Sequence, residues 1–250
     1  MHDWKGAAVR LIPPSERRIM AAPRCVVLVH VYYPELWNEI ARYLRNLDGS
    51  DFDLYVNAVE GRTTAEWARD VARDFPGTRV HYSPNRGQDI GGTINLLGHV
   101  DLSRYDWVCK LHTKRSPYDS LGGDNWRVAL VRACLHDVGE VLDLLASRPD
   151  VSMVGCREWM TPYDGGTGDP NYRHFVRLCR RLRLDPRRFI GPYLAGTMFW
   201  CRSAVMQALK DVGLRQEEFH EGYARDGTLA HAMERVFTAL ARSVGNVYWR

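Results

Sequence analysis

The chain has 250 residues, of which 45% are hydrophobic, and its 34 basic and 30 acidic side chains give a formal net charge of +4. These values are typical of a globular protein with one large domain and argue against a protein that coats nucleic acid. No stretch reaches the roughly 18 apolar residues of a membrane span, and the N-terminal segment lacks the apolar core of a secretory signal. We therefore expect a cytoplasmic protein without a nucleic-acid partner.

The first half of the chain alternates short strands with helices, after a loose lead-in over residues 1–24. Runs rich in β-branched and aromatic residues predict strands, at 25–33, 52–59, 78–84 and 107–112. Segments with helical spacing predict helices between them, at 34–47, 63–75 and 89–100. This alternation is typical of a parallel sheet with helices on both faces. Ligands bind beyond the carboxyl ends of such strands, so we expect the segments after the first, third and fourth strands to share one crevice.

The second half is less regular. Its patterns predict helices at 126–135, 138–149, 172–185 and 226–242. They predict further strands at 150–156 and 195–202. A glycine-rich stretch over 161–171 connects these elements, and we expect it to be a mobile loop.

The segment "NRGQDIGG" follows the third predicted strand. Tight turns and close backbone approach to a ligand are permitted by Asn85, Gly87, Gly91 and Gly92. Asp89 stands where the next helix begins, so a helix cap and a ligand contact explain it equally well. The fingerprints of P-loop and dinucleotide-binding proteins are both absent.

A cluster of basic residues ends the fourth predicted strand, in "YDWVCKLHTKRS" (105–116). Lys110 and His112 alternate along the strand and should lie on one of its faces. Lysine and arginine side chains can hold a diphosphate, and His112 could donate a hydrogen bond or ligate a metal. A solvated basic strand end is the plainer alternative, which the apolar residues before the cluster disfavour.

Acidic residues precede the last predicted helix, in "FHEGYARDGTLAHAMER". Glu221 and Asp226 come before the helix, and His231 follows five positions after Asp226. A capping role would explain Asp226 by itself. The more specific hypothesis is a general base, a carboxylate held at a loop–helix junction and open to a hydroxyl nucleophile.

Taken together, these segments resemble the rhamnan synthesis protein F family of bacterial polysaccharide glycosyltransferases. The resemblance rests on segments in the family's order, "NRGQDIG" (85–91), "YDWVCKLHTKRS" (105–116), "GTMFWCR" (196–202) and "EGYARDGTLAHAMER" (221–235). It implies an α/β protein with a GT-A-like nucleotide-diphospho-sugar transferase fold, in which helices flank a mostly parallel central sheet. It also implies a single domain over 25–250, with a nucleotide-sugar-binding half (25–116) and an acceptor and catalytic half (117–250).

The resemblance implies an enzyme that moves a sugar, such as the deoxysugar rhamnose, from a dTDP-, UDP- or GDP-sugar to a growing cell-surface polysaccharide. O-antigen and lipopolysaccharide are such polymers. The acceptor would be a glycan or a lipid-linked glycan, the transfer would invert the anomeric carbon, and the chain would serve a larger synthase. The implied donor-binding residues are Asn85, Arg86, Gly87, Asp89, Lys110, His112 and Lys114. The implied catalytic residues are Asp226, His112 and Lys110, and those on the acceptor side are Trp200, Glu221 and His231.

The place of the metal-binding Asp-x-Asp motif of GT-A enzymes reads Lys110-Leu111-His112. An ammonium and an imidazole cannot replace carboxylates as ligands for Mg²⁺, but they can neutralise a leaving diphosphate directly. We therefore expect no metal and no cofactor, with His112 as a single ligand to a transition metal as the alternative. The six cysteines form no CxxC pair and indicate reduced, buried thiols. Gln88 and Gly92 stand where the family has Arg and Pro, which leaves the donor sugar open.

Two alternatives to this enzyme remain open. The first is a non-catalytic, glycosyltransferase-like scaffold or binding module of a polysaccharide synthase, and the second, more distant, is a metal-independent phosphotransferase. Whether the protein contacts the membrane is also open, because residues 172–188 carry seven arginines. This segment is either a solvated basic helix face or a peripheral contact with anionic lipid at the inner face of the cell membrane.

Overall fold

The computed structural model describes residues 24–115, 123–166 and 168–250. The strands of this part are β1 (Cys25–Val31), β2 (Phe52–Val59), β3 (Arg79–Ser83), β4 (Trp107–His112), β5 (Val151–Gly155), β6 (Met160–Thr161), β7 (Tyr193–Leu194), β8 (Phe199–Arg202) and β9 (Asn246–Trp249). Its α-helices are α1 (Trp37–Leu44), α2 (Ala65–Asp74), α3 (Gln88–His99), α4 (Gly123–Leu135), α5 (Val138–Ser147), α6 (Tyr172–Arg181), α7 (Ser203–Asp211) and α8 (Leu229–Val244). The predictions for residues 1–23 and for the end of the basic segment, at Ser116, lie outside the described residues.

The central sheet has seven strands in the order β3-β2-β1-β4-β8-β5-β9. Strands β1 to β4 pair in parallel, β8 runs antiparallel between β4 and β5, and β9 lies parallel to β5. Every residue of β1 is buried, as expected for an apolar strand covered on both faces. The predicted mostly parallel sheet is confirmed, and strands from both predicted halves of the domain belong to it.

Helices cover both faces of this sheet. On one face α3 packs against β1 and β2, and α8 packs against β5 and α6. On the other face α4 packs against β8, and α1 packs against α4. All six cysteines are buried within these layers, as predicted, and burial, with a smaller effect of Asp185, raises the pKa of the Cys179 thiol to about 12. Among the described helices, none combines the length and apolarity that crossing a membrane requires.

Several elements differ from the prediction. The strand predicted over 195–202 begins only at Phe199, because Gly196 (φ 85°) and Thr197 (φ 46°) take left-handed conformations that a strand cannot contain. Helix α7 and strand β9 were not predicted. Strand β9 has four residues that alternate between exposed and half-buried, which is a weak pattern for a sheet-edge strand.

Neither of the two candidate capping aspartates caps a helix. Helix α8 begins at Leu229, and its cap is Thr228, whose side chain accepts a hydrogen bond from the His231 N–H. Helix α3 begins after Gly87, which takes a left-handed conformation (φ 73°). The capping explanation of Asp89 and Asp226 is therefore wrong, and both carboxylates make other contacts.

Candidate functional site

The segments that follow strands β1, β3 and β4 meet at one edge of the sheet, as predicted. After β4, the Thr113 hydroxyl oxygen accepts hydrogen bonds from the backbone N–H groups of Tyr32 and Tyr33, both at 3.0 Å. The segment after β3 joins them through a contact between Asp89 and Lys110. Parallel strands direct their carboxyl ends to the same edge, so this arrangement follows from the strand order.

The ammonium group of Lys110 lies in the interior, beside an acidic partner from the chain itself. Its side chain is fully buried, and Nζ donates to Asp89 Oδ2 (2.7 Å), Thr197 O (2.9 Å) and Thr197 Oγ1 (3.0 Å). The Thr197 hydroxyl also donates to Asp89 Oδ2, at 2.6 Å. All three ammonium donors are thus used, and this geometry does not support the prediction that Lys110 contacts a leaving diphosphate.

The carboxylate of Asp89 is held in its ionised form. Burial by itself raises its pKa, but the positive charges of protonated His112 and of Lys110, with the hydrogen bonds from Lys110 and Thr197, outweigh burial. The pKa therefore lies well below the ordinary value. The result is a buried, hydrogen-bonded ion pair that joins α3 to β4.

Two residues with a strained backbone lie next to the Asp89 carboxylate. Gln88 (φ 53°) and Thr197 (φ 46°) are non-glycine residues in the left-handed region, and a β-branched residue such as threonine rarely adopts it. The Gln88 amide donates to the Ala224 carbonyl at 2.9 Å. Strained residues persist where surrounding contacts fix them, which is common at functional sites.

His112 does not carry the positive charge that was predicted for it. The imidazole is buried, and its Nδ1 lies 3.5 Å from Asp89 Oδ2 without a hydrogen-bond partner among the described residues. Burial lowers the pKa of His112 well below the ordinary value, against the opposing effect of Asp89. The ring is therefore neutral at pH 7, so it can offer a hydrogen bond but no charge.

Lys114 is the cation at the mouth of the crevice. Its side chain is half-buried, and Nζ lies 3.6 Å from the ring centroid of Trp126, a cation–π contact. Burial lowers the pKa of Lys114, while the charges of Glu234 and Asp89 oppose that shift. Of the three predicted cations, Lys114 is the one whose side chain is partly exposed, since Lys110 and His112 are buried.

The predicted donor loop is joined to the segment before α8. The Arg86 guanidinium donates to Glu221 Oε2 at 2.7 Å, and the Gly87 N–H donates to the His220 carbonyl at 2.8 Å. The Gly222 N–H donates to the Asn85 carbonyl, also at 2.8 Å. Glu221, predicted on the acceptor side, therefore lies beside the donor loop as the partner of Arg86.

The paired glycines of the loop make their close approach to the protein itself. A Cβ on Gly91 would lie 1.8 Å from the Arg86 carbonyl oxygen. A Cβ on Gly92 would lie 2.0 Å from Nδ1 of the buried His30. The expectation that these two glycines make room for a ligand is wrong, because they allow α3 to pack against the sheet and its own loop.

Helix α8 presents one face to the crevice. His231, Glu234 and Phe237 are spaced three residues apart and therefore share that face. The Phe237 ring centroid lies 5.7 Å from Lys110 Nζ, and His231 Nδ1 lies 2.8 Å from the Thr228 hydroxyl. Glu234 comes one turn before Phe237, and its carboxyl group interacts electrostatically with Asp89, Lys114 and Lys110.

Glu234 is a functional candidate that sequence reasoning missed. Its side chain is 24% exposed, and its carboxyl group accepts no hydrogen bond from the described residues. Burial and the negative charge of Asp89 raise its pKa to about 7, against the effects of Arg235, Lys114 and Lys110. Such a carboxyl group exchanges protons near neutral pH. Its three-residue spacing from His231 was the signal that could have found it.

Asp226 lies at the rim of the crevice, where it is exposed. Its Oδ1 accepts a hydrogen bond from Asn171 Nδ2 at 2.8 Å, and the Gly227 N–H donates to Asn171 Oδ1 at 3.1 Å. Burial tends to raise the pKa of Asp226, but the hydrogen bonds from Asn171 and Gly227 and the charge of Arg235 keep it below the ordinary value. Asp226 is therefore ionised at neutral pH.

Asn171 is the second residue that sequence reasoning missed. It ends the glycine-rich loop, its side chain is fully buried, and it also donates to Asp169 Oδ1 at 2.9 Å. This end of the loop is thus anchored to Asp226, although the whole loop was predicted to be mobile. Only the position of Asn171 at the end of a loop marks it in the sequence.

Trp200 belongs to the core. Its side chain is fully buried, and its indole N–H donates to the Cys134 carbonyl at 2.8 Å, on the face of the sheet that α4 covers. The prediction that Trp200 lines the acceptor side is wrong, because the ring offers no surface to a sugar.

The described groups at the crevice can be compared with the ligand sets of divalent cations. Among the described residues, no three His, Cys, Asp or Glu side chains converge as metal ligands. Asp89 and His112 approach each other, but the Lys110 ammonium already occupies the carboxylate. The arrangement can instead hold an anion at Lys114 and remove a proton with Asp226 or Glu234.

Two solved structures resemble the chain in outline. Residues 1–349 of S. aureus TarS match 86% of this chain and 55% of that chain, with 12% identity and a TM-score of 0.43. Core-mannan synthase A from Aspergillus fumigatus, in its Mn/GDP form, matches 90% of this chain and 72% of that chain, with 10% identity and a TM-score of 0.42. Both TM-scores lie below 0.5, so the fold assignment rests on the strand order of this chain.

Similarity in sequence extends over nearly the whole chain. The protein WxcX of Xanthomonas campestris pv. campestris strain B100, described as uncharacterized, is 27% identical over 245 residues, which are 96% of this chain and 34% of WxcX. WxcX of a second strain is 26% identical over the same length. The chain thus spans about a third of the length of these relatives. The family model described as rhamnan synthesis protein F matches residues 8–245, and the chain belongs to that family.

Proposed function

We propose that this chain is a glycosyltransferase that moves a sugar from a nucleotide-activated donor to a hydroxyl group of a growing cell-surface polysaccharide. The observation that carries the proposal is the crevice at the carboxyl edge of the sheet, where the charges of Lys114 and Glu234 act on each other and His231 interacts with both Asp89 and Asp226. Membership in the rhamnan synthesis protein F family supports the polysaccharide as acceptor and rhamnose as the sugar. Since the chain spans a third of its relatives, we place it as one module of a larger synthase.

On the donor side, the diphosphate binds at Lys114, with the neutral His112 as a hydrogen-bond donor. A positive charge in a half-buried site stabilises the charge that develops on the leaving diphosphate. The buried pair of Lys110 and Asp89 is a positioning element that fixes β4 and α3 around this site. The half-buried side chains of Asn85 and Arg86 hold the nucleoside.

On the acceptor side, Asp226 is the base. As the acceptor oxygen forms a bond to the anomeric carbon, its proton passes to the Asp226 carboxylate. The bond from the anomeric carbon to the diphosphate breaks on the opposite face, and its electron pair leaves with the diphosphate, so the configuration inverts. The exposure of Asp226 suits a large glycan, and Asn171 fixes the direction of the carboxylate.

Glu234 is the second candidate for the base. A general base works best when its pKa lies near the working pH, and the pKa of Glu234 is raised to about 7. If Glu234 is the base, kcat falls as the pH drops through about 7, because the protonated form cannot accept the proton. If Asp226 is the base, kcat stays level to well below that pH, since the lowered pKa of Asp226 keeps it ionised.

Transfer without a metal ion is part of the proposal. Its support is the basic Lys110-Leu111-His112 sequence at the end of β4 and the occupied carboxylate of Asp89. In place of a divalent cation, Lys114 supplies the positive charge next to the diphosphate.

Turnover of nucleotide sugars tests the proposal. The protein is incubated with dTDP-rhamnose, UDP-sugars or GDP-sugars together with a glycan acceptor. Both the released nucleoside diphosphate and the elongated glycan are measured. We expect Asp226→Asn to lower turnover by roughly 100-fold or more, as loss of a general base does, with nucleotide affinity unchanged. Asp143→Asn, at an exposed position of α5, is the matched control.

Three outcomes separate the alternatives. Nucleotide binding without any glycan product favours the non-catalytic scaffold. Transfer of phosphate in place of sugar favours the phosphotransferase. Full turnover in both Asp226→Asn and Glu234→Gln contradicts a carboxylate base at this crevice.

A further inference from the structure

Helix α6 carries a basic surface that the proposed reaction does not use. The buried side chains of Phe175, Leu178 and Cys179 pack inward, and α6 packs against α8. This packing fixes the opposite side of the helix toward solvent. The arginine face consists of the exposed side chains on that side and on the turn that follows, Arg173, Arg177, Arg180, Arg183, Arg187 and Arg188.

The arginine face forms no ion pair within the described part of the chain. None of its six guanidinium groups forms an ion pair with a described carboxylate, whereas Arg181, at the inner edge, pairs with Glu218. Residues 172–188 hold seven arginines and one aspartate, so their local positive charge exceeds the net charge of +4 of the whole chain. The rest of the chain is therefore net acidic, and the basic excess is concentrated on this one surface.

A shallow depression of about 430 Å³ lies within the arginine face. It is lined by Tyr172 and Val176 together with four arginines, Arg173, Arg177, Arg180 and Arg181. Arginine side chains can lay their carbon stems along an apolar floor while their guanidinium groups reach the rim. An apolar floor with a cationic rim matches the interfacial region of a phospholipid layer, where phosphate groups lie above apolar chains.

We propose that the arginine face docks this protein on a membrane surface rich in anionic phospholipid. The guanidinium groups spread along a helix of about 15 Å and the next turn, and so they suit a broad charged surface rather than a single small anion. The described helices do not cross a membrane, so binding would be peripheral and sensitive to salt. The inference stands without the proposed reaction.

Docking in this orientation would place the acceptor side of the crevice near the lipid. Asn171 directly precedes α6 and bonds to Asp226 at 2.8 Å. Asn171 therefore connects the proposed base, Asp226, to the first residue of the helix that carries the arginine face. An acceptor glycan that is anchored in the membrane would reach Asp226 from that side.

Co-sedimentation with lipid vesicles tests the inference. The 250-residue protein is mixed with vesicles of phosphatidylglycerol and phosphatidylcholine, or of phosphatidylcholine alone, at low and high salt. Each arginine near an anionic surface contributes about fivefold to partitioning. The triple variant Arg173→Gln, Arg177→Gln and Arg180→Gln should therefore bind the anionic vesicles roughly 100-fold more weakly. Glutamine is a good helix former, and circular dichroism checks that the variant folds.

A second triple variant removes the same charge elsewhere. Arg42, Arg69 and Arg132 are exposed on α1, α2 and α4, and their replacement by glutamine should leave vesicle binding unchanged. Equal binding to pure phosphatidylcholine would overturn the inference. So would undiminished binding of the first triple variant, or an equal loss in the second. Tighter binding to a DNA oligonucleotide, in competition with the vesicles, would also overturn it in favour of nucleic acid.

The readout is independent of catalysis. Turnover of the first triple variant with a short, water-soluble acceptor should equal that of the unchanged protein. If no sugar is transferred by either protein, the vesicle measurements still decide the docking question. Failure of docking and failure of the proposed reaction are thus observed separately.

Discussion

Replacing Lys110 by methionine should destabilise the protein severely. Methionine keeps the length of the aliphatic stem but removes the ammonium, so the Asp89 carboxylate loses its counter-charge and the Thr197 carbonyl loses a donor. Removal of one partner from a buried ion pair costs about 3–5 kcal/mol. Domains are stable by about 5–15 kcal/mol, so the loss is a large part of the total.

Urea denaturation followed by tryptophan fluorescence measures this loss. Adding Asp89→Asn to the Lys110→Met variant should restore part of the stability, because the uncompensated charge is then absent. The double-mutant cycle gives the coupling energy of the pair. A matched single change, Lys210→Met on α7, removes a partly buried lysine that forms no ion pair in the described part of the chain and should cost much less.

The pH dependence of the stability follows from the direction in which the pKa of Asp89 is shifted. The pKa of Asp89 is lowered in the folded protein, so the stability that the ion pair contributes is present above the unfolded pKa of about 3.9 and is lost as the pH falls through the lower folded value. In Lys110→Met, the pKa of Asp89 rises, because burial is then opposed only by the hydrogen bond from Thr197 and by His112. The difference in stability between the two proteins should therefore shrink as the pH falls from 7 toward 4.

A loss below about 1 kcal/mol would refute this reasoning, because that is the value of a solvent-screened surface pair. Further destabilisation by Asp89→Asn in the Lys110→Met background would refute it as well. Either result would mean that Asp89 does not depend on Lys110 for its charge.

Three further predictions concern the site and its supports. Gly91→Ala should unfold the donor loop and abolish nucleotide binding, whereas Gly98→Ala, on the same helix with open space around it, should stabilise the protein by up to about 1 kcal/mol in urea. Asn171→Ala should lower kcat through misdirection of Asp226, with stability reduced by about 1–3 kcal/mol; an unchanged kcat would show that the contact is only structural. Trp200→Phe should lower the thermal midpoint but leave the KM for the acceptor unchanged, and a raised KM would return this ring to the acceptor side.

Much of the sheet could be predicted from local pattern alone. The seven residues of β1 are all apolar or half-apolar and all buried, and a run of this kind is a strand whatever surrounds it. Strand β9 lies at the sheet edge and alternates between exposed and half-buried residues. Its four residues are too few for the pattern to stand out, and its pairing with β5 depends on where α8 ends.

The functional residues were found more easily than their partners. Lys110 and Asp89 were both identified as candidate site residues. Each was predicted to contact the donor substrate, whereas in the structure they bind each other. Their contact depends on how α3 lies over β4 and on Thr197, 87 residues further along the chain. No local pattern encodes such an arrangement, although an ammonium on an apolar strand always requires an acidic partner when it is buried.

Burial also explains the correction at His112. From the sequence, an imidazole among lysines and arginines suggests a cationic cluster. In the fold it lies in the interior, where desolvation lowers its pKa and removes the charge. Solvent exposure, which a single sequence does not contain, thus decides the charge of His112 at pH 7.

Calorimetric titration with dTDP, UDP and GDP, with and without EDTA, measures whether a metal-independent diphosphate site exists at Lys114. We expect one of the nucleotides to bind equally well in both buffers. We also expect Lys114→Ala to lose most of this affinity, while the control Lys210→Ala keeps it. Binding that vanishes with EDTA would contradict the metal-independent site, and the absence of binding by any of the nucleotides would contradict the donor site altogether.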